Sequence, residues 1–518
     1  MQINNVDKYI KEHIGNRSLA ETSQLTFAWL AWYAGFDEKF HRYHVYNAGQ
    51  EVELTKLSLG MAKKVCEDWA SLLMNEKTDI IIPNNQDEFN NILEREDFWE
   101  KANEGVEKTF ALGNGAFVLR LENAKIDDEG KIWKSDDTEL KIDFVNATKI
   151  RPITFKNGDI TECAFVNEGT NEATISLHLL EDGQYVIKDI LLKRGVNGFQ
   201  LEQTATLYTG SNIKWFSWVK PRKSNNLDIN SPLGVSIYAD ALDNLKFIDN
   251  IFDGFNNEYV LGKKRIMVAS EAVKIDISQG APQKVFDTND VVYYNIPQGN
   301  DGKPIIQDIN SELRSQAYID GLNNQLSIFG SKCGLGESYY KFDAMSASPV
   351  QTATASKLMA QNLYRNINKQ EIMIAKVLKN LTKAIIYVNN TWTTAPSISE
   401  VEDSNITIKF DDAISMDKEA EREKDLADVT AKLLSKKEYV MKWYAMTENE
   451  ATKYLQENLL LLDDYSLSLS SGAMTPEDFV TKVYGYNENS EEYIRAVEWA
   501  REQVGSGQET TFDMNVGA

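Results

Sequence analysis

A long helical pattern constrains the fold of this chain more than any other feature. It starts at Ser348 and Pro349, a favourable N-cap and N1 pair, and continues to about Val388. One face carries apolar residues at helical spacing: Leu363, Ile367, Ile374, Leu378, Leu381 and Ile385. Such a helix would extend roughly 60 Å, which is too long for the core of one compact domain. At 518 residues the chain is therefore predicted to contain about two to four parts.

A polar, aromatic loop leads directly into this helix. It reads "GLGESYYKFDAMSAS" from Gly334 to Ser348, which is compatible with a phosphate-binding loop, a catalytic lid or a loop that faces a ligand. No strand pattern precedes its two glycines, no Lys–Ser pair follows them, and GxxxxGK[ST] occurs nowhere in the sequence. Nucleotide binding is therefore disfavoured, and the residues alone do not decide between the other two roles.

The rest of the chain alternates between helical and strand patterns. The first hundred residues are predicted to be helical, with core tryptophans up to Trp69. Residues 111–221 contain short alternating runs separated by turns such as "KNGD" and "EDGQ", typical of antiparallel hairpins. Shorter helices are predicted from Met416 to about Gln503, before a disordered tail at 504–518.

Two further helical patterns bracket a β-rich insert. The first has a heptad seam formed by Tyr238, Ala241, Leu245, Ile248, Phe252, Phe255 and Tyr259, with Asp240, Asp243, Asp249 and Asp253 off the seam. The second runs from about Asn310 to Phe329. Because both helices flank residues 261–309, they are expected to project this insert away from the body of the protein.

The net charge of −23 excludes a conventional nucleic-acid-binding surface, since tight phosphate binding needs a basic one. Cys66, Cys163 and Cys333 are scattered and form no CxxC pair, so a reducing compartment is favoured. No signal-peptide pattern and no apolar run long enough to cross a membrane is found. The sequence predicts a protein that is soluble and intracellular when synthesised.

The sequence predicts no catalytic residue, cofactor or metal site. His41 and His44 are three residues apart but lack an HExxH motif or a cysteine partner, so we interpret them as a surface pair. Asp411 and Asp412 follow the strand pattern "ITIKF" and are interpreted as a turn. A carboxylate-based, metal-dependent hydrolase remains an alternative to a non-enzymatic protein.

The order of several passages resembles that of portal proteins of tailed bacteriophages, especially long-tailed phages and prophages of Gram-positive bacteria. The passages are "AKKVCEDWASLLMNEKTDI", "FALGNGAFVLRLE", "CGLGESYYKFD", "TATASKLMAQNLYRNINKQE" and "DDAISMDKEAEREKDLADVTAKLLSKKEYVMKWY". The resemblance spans nearly the whole chain, from about residue 55 to 460. Each motif is individually weak, and their order carries the resemblance.

The resemblance implies an α+β, mainly helical portal fold that forms rings. Its parts would be a wing with N-terminal helices and a β-rich region at 1–231, stem helix one at 232–260, a clip at 261–309 and stem helix two at 310–333. A tunnel loop at 334–348, a long wing helix with closing strands at 349–415 and a helical crown at 416–503 would follow.

In such a ring, symmetry turns each loop residue into a circle of identical residues around DNA. The resemblance implies that the following residues face DNA or pack between neighbouring loops: Glu337, Tyr339, Tyr340, Lys341, Phe342, Asp343 and Met345. Acids of stem helix one would add repulsive rings if they face the channel. Lys263, Lys264 and Arg265 would contact a partner at the clip or form a solvated turn.

The resemblance also implies partners and a location. These are about twelve copies of the chain, double-stranded DNA in the channel, a terminase ATPase, a head–tail adaptor, and the major capsid and scaffolding proteins, with no membrane. The protein would assemble in the host cytoplasm and reside at a head vertex of the virion. The other alternative is an oligomeric helical adaptor or scaffold without a DNA channel.

Overall fold

The computed structural model describes most of the chain between Val6 and Phe410 and a smaller share of the rest. The described residues are 6–20, 24–47, 50–195, 198–261, 265–269, 275–276, 283–284, 292–296, 306–309, 313–341, 353–410, 425–429, 434–443, 451–455, 475 and 497. Of these, 47, 261, 265–309 and 353–361 are described by their backbone alone. The chain divides into two compact units, Met1–Ile414 and Ser415–Ala518.

The N-terminal part of the first unit is mostly helical, as predicted, but it also contains a β-hairpin. Its elements are α1 (Val6–His13), α2 (Gln24–Tyr33), α3 (Glu38–His41), β1 (Arg42–Asn47), β2 (Gln50–Thr55), α4 (Met61–Leu73), β3 (Asp79–Ile81), α5 (Gln86–Arg95) and α6 (Phe98–Leu112). Trp29, Trp32 and Trp69 are buried, which confirms their predicted place in the core.

The β-rich part forms two principal sheets. Its strands are β4 (Gly115–Glu122), β5 (Lys125–Ile126), β6 (Ile132–Trp133), β7 (Glu139–Asn146), β8 (Ile150–Lys156), β9 (Asp159–Glu168), β10 (Glu172–Glu181), β11 (Gln184–Gly195), β12 (Gly198–Tyr208) and β13 (Phe216–Val219). Strands β8 to β12 pair in chain order as an antiparallel meander, which confirms the predicted hairpins. The other sheet has the order β13-β4-β7, so β13 pairs with a distant strand that local turn patterns could not reveal.

Two packed helices bracket a strand-containing insert, as predicted. The elements are α7 (Leu242–Leu261), β14 (Arg265–Ala269), β15 (Ile275–Asp276), β16 (Gln283–Lys284), β17 (Val292–Ile296), β18 (Ile306–Ile309) and α8 (Ser315–Lys332). Strand β14 lies between β17, its parallel neighbour, and β18, its antiparallel one. The first helix begins at Leu242, because the preceding chain follows turns and a short 3₁₀ segment at Ala239–Ala241.

The long helix is α9 (Ala353–Trp392), and β19 (Thr407–Lys409) follows it and pairs with β3. At 40 residues, α9 extends roughly 60 Å, and it ends four residues beyond the predicted Val388. Four residues of its apolar face are buried in the hydrophobic cluster that we call the main core: Ile374, Leu378, Leu381 and Ile385. The predicted cap at Ser348 and Pro349 lies outside the described residues.

The second unit contains α10 (Lys436–Trp443). A capping box starts it: the Ser435 Oγ accepts from the Glu438 backbone N–H at 3.1 Å, and the Glu438 carboxylate accepts from the Ser435 N–H at 3.2 Å. The sequence "SKKE" at 435–438 is the signal for this helix start, and it was not among the predicted ones. Most of the predicted crown at 416–503 lies outside the described residues, as do Asp411 and Asp412 of the first unit.

Candidate functional site

The chain that leaves α8 turns sharply and forms a compact base for the predicted tunnel loop. Gly334 and Gly336 have φ angles of +87° and +101°, backbone conformations that favour glycine. The N–H groups of Leu335 and Gly336 both donate to the Gly330 carbonyl, at 2.9 and 3.2 Å. We call residues 330–341 the loop base.

Side chains from two distant helices hold the loop base. The indole N–H of Trp69 on α4 donates to the Cys333 carbonyl at 3.0 Å, and the amide of Asn366 on α9 donates to the Gly334 carbonyl at 2.8 Å. The Tyr340 hydroxyl donates to the Asp68 carboxylate of α4 at 2.7 Å. The loop base is therefore anchored at both ends to the body of the first unit.

Electrostatics strengthen the anchor at Tyr340. Burial, followed by its hydrogen bond to Asp68, raises the pKa of Tyr340, so the phenol stays a neutral donor well above pH 7. The hydrogen bond to the same carboxylate raises the pKa of Lys64, whose Nζ lies 2.6 Å from Asp68. The Asp68 carboxylate therefore binds both the Lys64 ammonium and the Tyr340 phenol where the loop base meets α4.

The described loop residues divide into anchored and exposed ones. The structure corrects the prediction for Tyr340, because its ring packs on the main core and its hydroxyl is bound within the same chain. Tyr339 is 40% exposed, and Glu337 and Lys341 are also exposed. Their predicted contact with DNA or with neighbouring loops stays a prediction. Phe342, Asp343 and Met345 lie outside the described residues.

Native thiol labelling tests the loop base. All three cysteines are free and buried, and burial raises the pKa of Cys333 to about 12. Because the thiolate is the reactive species and an unfolded cysteine has a pKa of about 8.5, we expect Cys333 at pH 8 to label at least about 1000-fold more slowly in the native chain than in the unfolded chain. Rapid modification of Cys333, located by peptide mass mapping, would contradict an anchored base.

A buried polar cluster around Asp249 joins α7 to the N-terminal part of the first unit. The Asp249 carboxylate is 2% exposed and accepts from His41 Nε2 at 3.0 Å, Ser58 Oγ at 3.0 Å and the Leu59 N–H at 2.8 Å. One turn further along α7, Asp253 accepts from the Leu57 N–H at 3.1 Å. We call His41, Ser58, Leu59 and Asp249 the Asp249 cluster.

This cluster corrects the interpretation of the two histidines and gives Asp249 a role within the subunit. His41 is fully buried and lies at the end of α3, whereas His44 is exposed on β1, so they do not form a surface pair. Asp249 was predicted to contribute to a repulsive ring if it faced the channel. It instead binds donors inside the subunit, because its carboxylate would otherwise be buried without partners.

The predicted stem seam is buried at its start and more exposed towards its end. Tyr238 is buried just before the helix, and Leu245 and Ile248 are buried within it. Phe252 and Phe255 are partly buried, and Tyr259 is 50% exposed. Phe255 stacks on Tyr318 of α8 with ring centroids 5.4 Å apart.

An ion pair lies at the end of the helix pair that faces the insert. Arg314 binds Glu258 through two nitrogens, at 3.1 and 2.7 Å. These hydrogen bonds lower the pKa of Glu258. At the predicted partner contact, Lys263 and Lys264 lie outside the described residues, and Arg265 begins β14 with only its backbone described.

The described residues contain neither a metal-binding cluster nor a membrane-spanning helix. Within the described ranges, no group of three or more His, Cys, Asp or Glu residues is arranged to hold a metal ion. Among the helices of that same part of the chain, none combines the length and apolarity needed to span a membrane.

Two packed helices carry a β-containing insert, and the anchored loop base and a very long helix follow them along the chain. Residues 2–459 match the family described as "Phage portal protein, SPP1 Gp6-like". The chain belongs to this family of phage portal proteins. Membership confirms the predicted portal role at the capsid vertex, and the mixture of helices and sheets agrees with the predicted α+β fold.

Two other comparisons add little. No curated protein matches the chain. A solved structure titled "Neck of native GTA particle computed with C12 symmetry" is similar over 84% of this chain and 97% of that chain, with 10% sequence identity and a TM-score of 0.40. This likeness is too low to support an argument about function.

Proposed function

We propose that the chain assembles into a ring of about twelve copies whose channel passes double-stranded DNA during packaging and ejection. The ring would form in the host cytoplasm and become part of the virion. A terminase ATPase and a head–tail adaptor would bind it in turn, and the major capsid and scaffolding proteins would surround it.

The anchored loop base is the observation that carries this proposal. Trp69, Asn366 and Tyr340 hold the backbone on both sides of Gly334, while Tyr339 and Lys341 remain exposed. A loop with a fixed root and exposed side chains is suited to contact a moving ligand without losing its own position. Portal family membership makes DNA the proposed ligand.

Charge supports weak contact with DNA. Each chain carries −23, so a ring would repel DNA over most of its surface. A ring of Lys341 side chains would offer limited phosphate contact, whereas a basic lining would bind tightly and in a salt-sensitive way. DNA could therefore slide while the loops keep it centred.

The insert between α7 and α8 is the proposed docking site for terminase and the adaptor. It is carried by two packed helices, and Lys263, Lys264 and Arg265 at its start could contact acidic groups of either partner. The ring itself would catalyse no reaction, and terminase would supply the energy of packaging. A helical adaptor without a channel is the alternative, and it predicts oligomers without a central hole.

Assembled mass and negative-stain images test the ring. We expect a mass near twelve copies and particles with a central hole. Solid oligomers would favour the adaptor alternative and contradict the channel.

Charge reversal at Lys341 tests the loop. We expect Lys341→Glu to form rings of normal mass but to reduce the yield of DNA-filled heads about tenfold, because repulsion replaces phosphate contact. Lys341→Arg is the matched control and should stay within about twofold of wild type. Equal yields from both variants would refute the DNA contact at this position.

A further inference from the structure

The β1–β2 hairpin separates its side chains into a charged face and an apolar face. Residues paired across the strands lie on the same face, and the register pairs Tyr43 with Leu54 and Val45 with Val52. These four side chains form what we call the apolar hairpin face. The opposite face carries Arg42, His44, Tyr46, Glu51 and Glu53, and Arg42 pairs there with Glu53 at 3.1 Å.

Half of the apolar hairpin face is exposed within one copy of the chain, whereas Tyr43 and Val45 are partly buried. Val52 and Leu54 are 38% and 39% exposed, and all six residues of β2 are exposed. Among the described strands, β1 and β2 pair with each other alone. A two-stranded hairpin is marginally stable in water, and a covered apolar face is what usually stabilises it. Its free edges also invite pairing.

The base of this hairpin is nevertheless held firmly. The Lys56 N–H donates to the His41 carbonyl at 2.8 Å, and the Lys56 ammonium donates to Asn250 of α7 at 2.9 Å. His41 itself belongs to the Asp249 cluster, which fixes the chain on both sides of the hairpin. A held base presents the apolar face in one orientation and reduces the entropy cost of docking.

We propose that the apolar hairpin face docks on a second copy of this chain. The inference rests on the proposed ring, in which every copy presents the same hairpin to a neighbour. Copies that each carry −23 repel one another, so contact between them in the ring is most favourable through a face without negative charge. The apolar hairpin face meets this condition: none of its four side chains carries a formal charge at pH 7, and the nearest cation over it is the Lys56 ammonium, 5.5 Å from the centroid of the Tyr43 ring.

The triple variant V45T/V52T/L54T tests this contact. Threonine keeps a high preference for strands but removes apolar surface. We expect the concentration needed for half-assembly, measured by mass photometry, to rise at least about tenfold, since the lost burial is worth more than ~1.4 kcal/mol. Tyr46→Thr on the charged face, where Tyr46 is 80% exposed, is the control and should assemble as wild type. Unchanged assembly of the triple variant would overturn the proposal.

Photo-crosslinking tests whether the apolar hairpin face contacts a second copy, and it does so without removing the contact. Benzoylphenylalanine at position 52 should yield covalent dimers of the chain, while the same group at position 46 should yield few. Crosslinks from position 52 to capsid or adaptor protein alone, or a wild-type chain that neither oligomerises nor crosslinks, would overturn docking on a copy. The portal function is tested separately by DNA-filled heads, so its failure is distinguishable from failure of the hairpin contact.

Discussion

Asp249→Ala is expected to destabilise the first unit by about 1–3 kcal/mol, because it leaves buried hydrogen-bond donors without their acceptor. His41 Nε2, Ser58 Oγ and the Leu59 N–H would all lose their shared acceptor. The unit is large and its unfolding need not be two-state. We would therefore measure the shift in thermal midpoint together with hydrogen exchange over residues 37–60. Exchange there should accelerate, since those residues lose their attachment to α7.

Asp243→Ala is the matched control on the same helix. Asp243 is 91% exposed and pairs with Lys246 at 2.9 Å, and solvent screening leaves such surface pairs with little effect on stability. The control should leave the thermal midpoint and the exchange of residues 37–60 nearly unchanged. Equal effects of both substitutions would show that the Asp249 cluster does not join these parts.

Gly330→Ala is expected to displace the loop base and strongly reduce DNA packaging. A Cβ at this position would lie 2.5 Å from the Gly336 carbonyl oxygen, and the loop backbone would have to move. Overpacking of this kind costs about 1–3 kcal/mol, which the loop can avoid by releasing its anchors. We expect faster labelling of Cys333 and about a tenfold lower yield of DNA-filled heads, with rings of normal mass.

Gly321→Ala is the same substitution on the same helix and serves as its control. The new Cβ would lie 3.6 Å from Ile251 Cδ1, an ordinary contact, and alanine favours a helix by about 1 kcal/mol over glycine. Packaging and Cys333 labelling should match wild type. Normal packaging by Gly330→Ala, with Cys333 still protected, would show that the loop tolerates the change and that the anchored geometry is not required.

The sequence predicted those features that depend on local periodicity. The α9 pattern, the α7 seam and the alternating runs of β8 to β12 each depend on residues a few positions apart, and all three are present. The interpretation of His41 failed because its partner Asp249 is 208 residues away, and nothing near "FHRYH" indicates a buried carboxylate.

The segment that forms the loop base is recognisable in the sequence, but its contacts are not. The glycines and aromatic residues of the predicted tunnel loop indicate a loop that differs from the helices around it. The anchor role of Tyr340 depends on Asp68, 272 residues earlier in the chain. A single tyrosine in an aromatic run gives no sign of whether its hydroxyl faces solvent or a buried carboxylate. The alternation of "RYHVYN" and "QEVELT" indicates the β1–β2 hairpin. The hairpin was not predicted because the whole N-terminal region was interpreted as helical.

The five-stranded meander has a consequence for the order in which the chain folds. Strands β8 to β12 pair with sequence neighbours, and such local topologies fold quickly. The main core, by contrast, includes Ile398 and Ile406. At about 5–20 residues per second, the ribosome adds these residues roughly 10–40 s after Tyr208. The meander can therefore form on the nascent chain while the main core waits for nearly the whole first unit. This delay postpones the completion of a subunit. It therefore limits premature self-association on the ribosome.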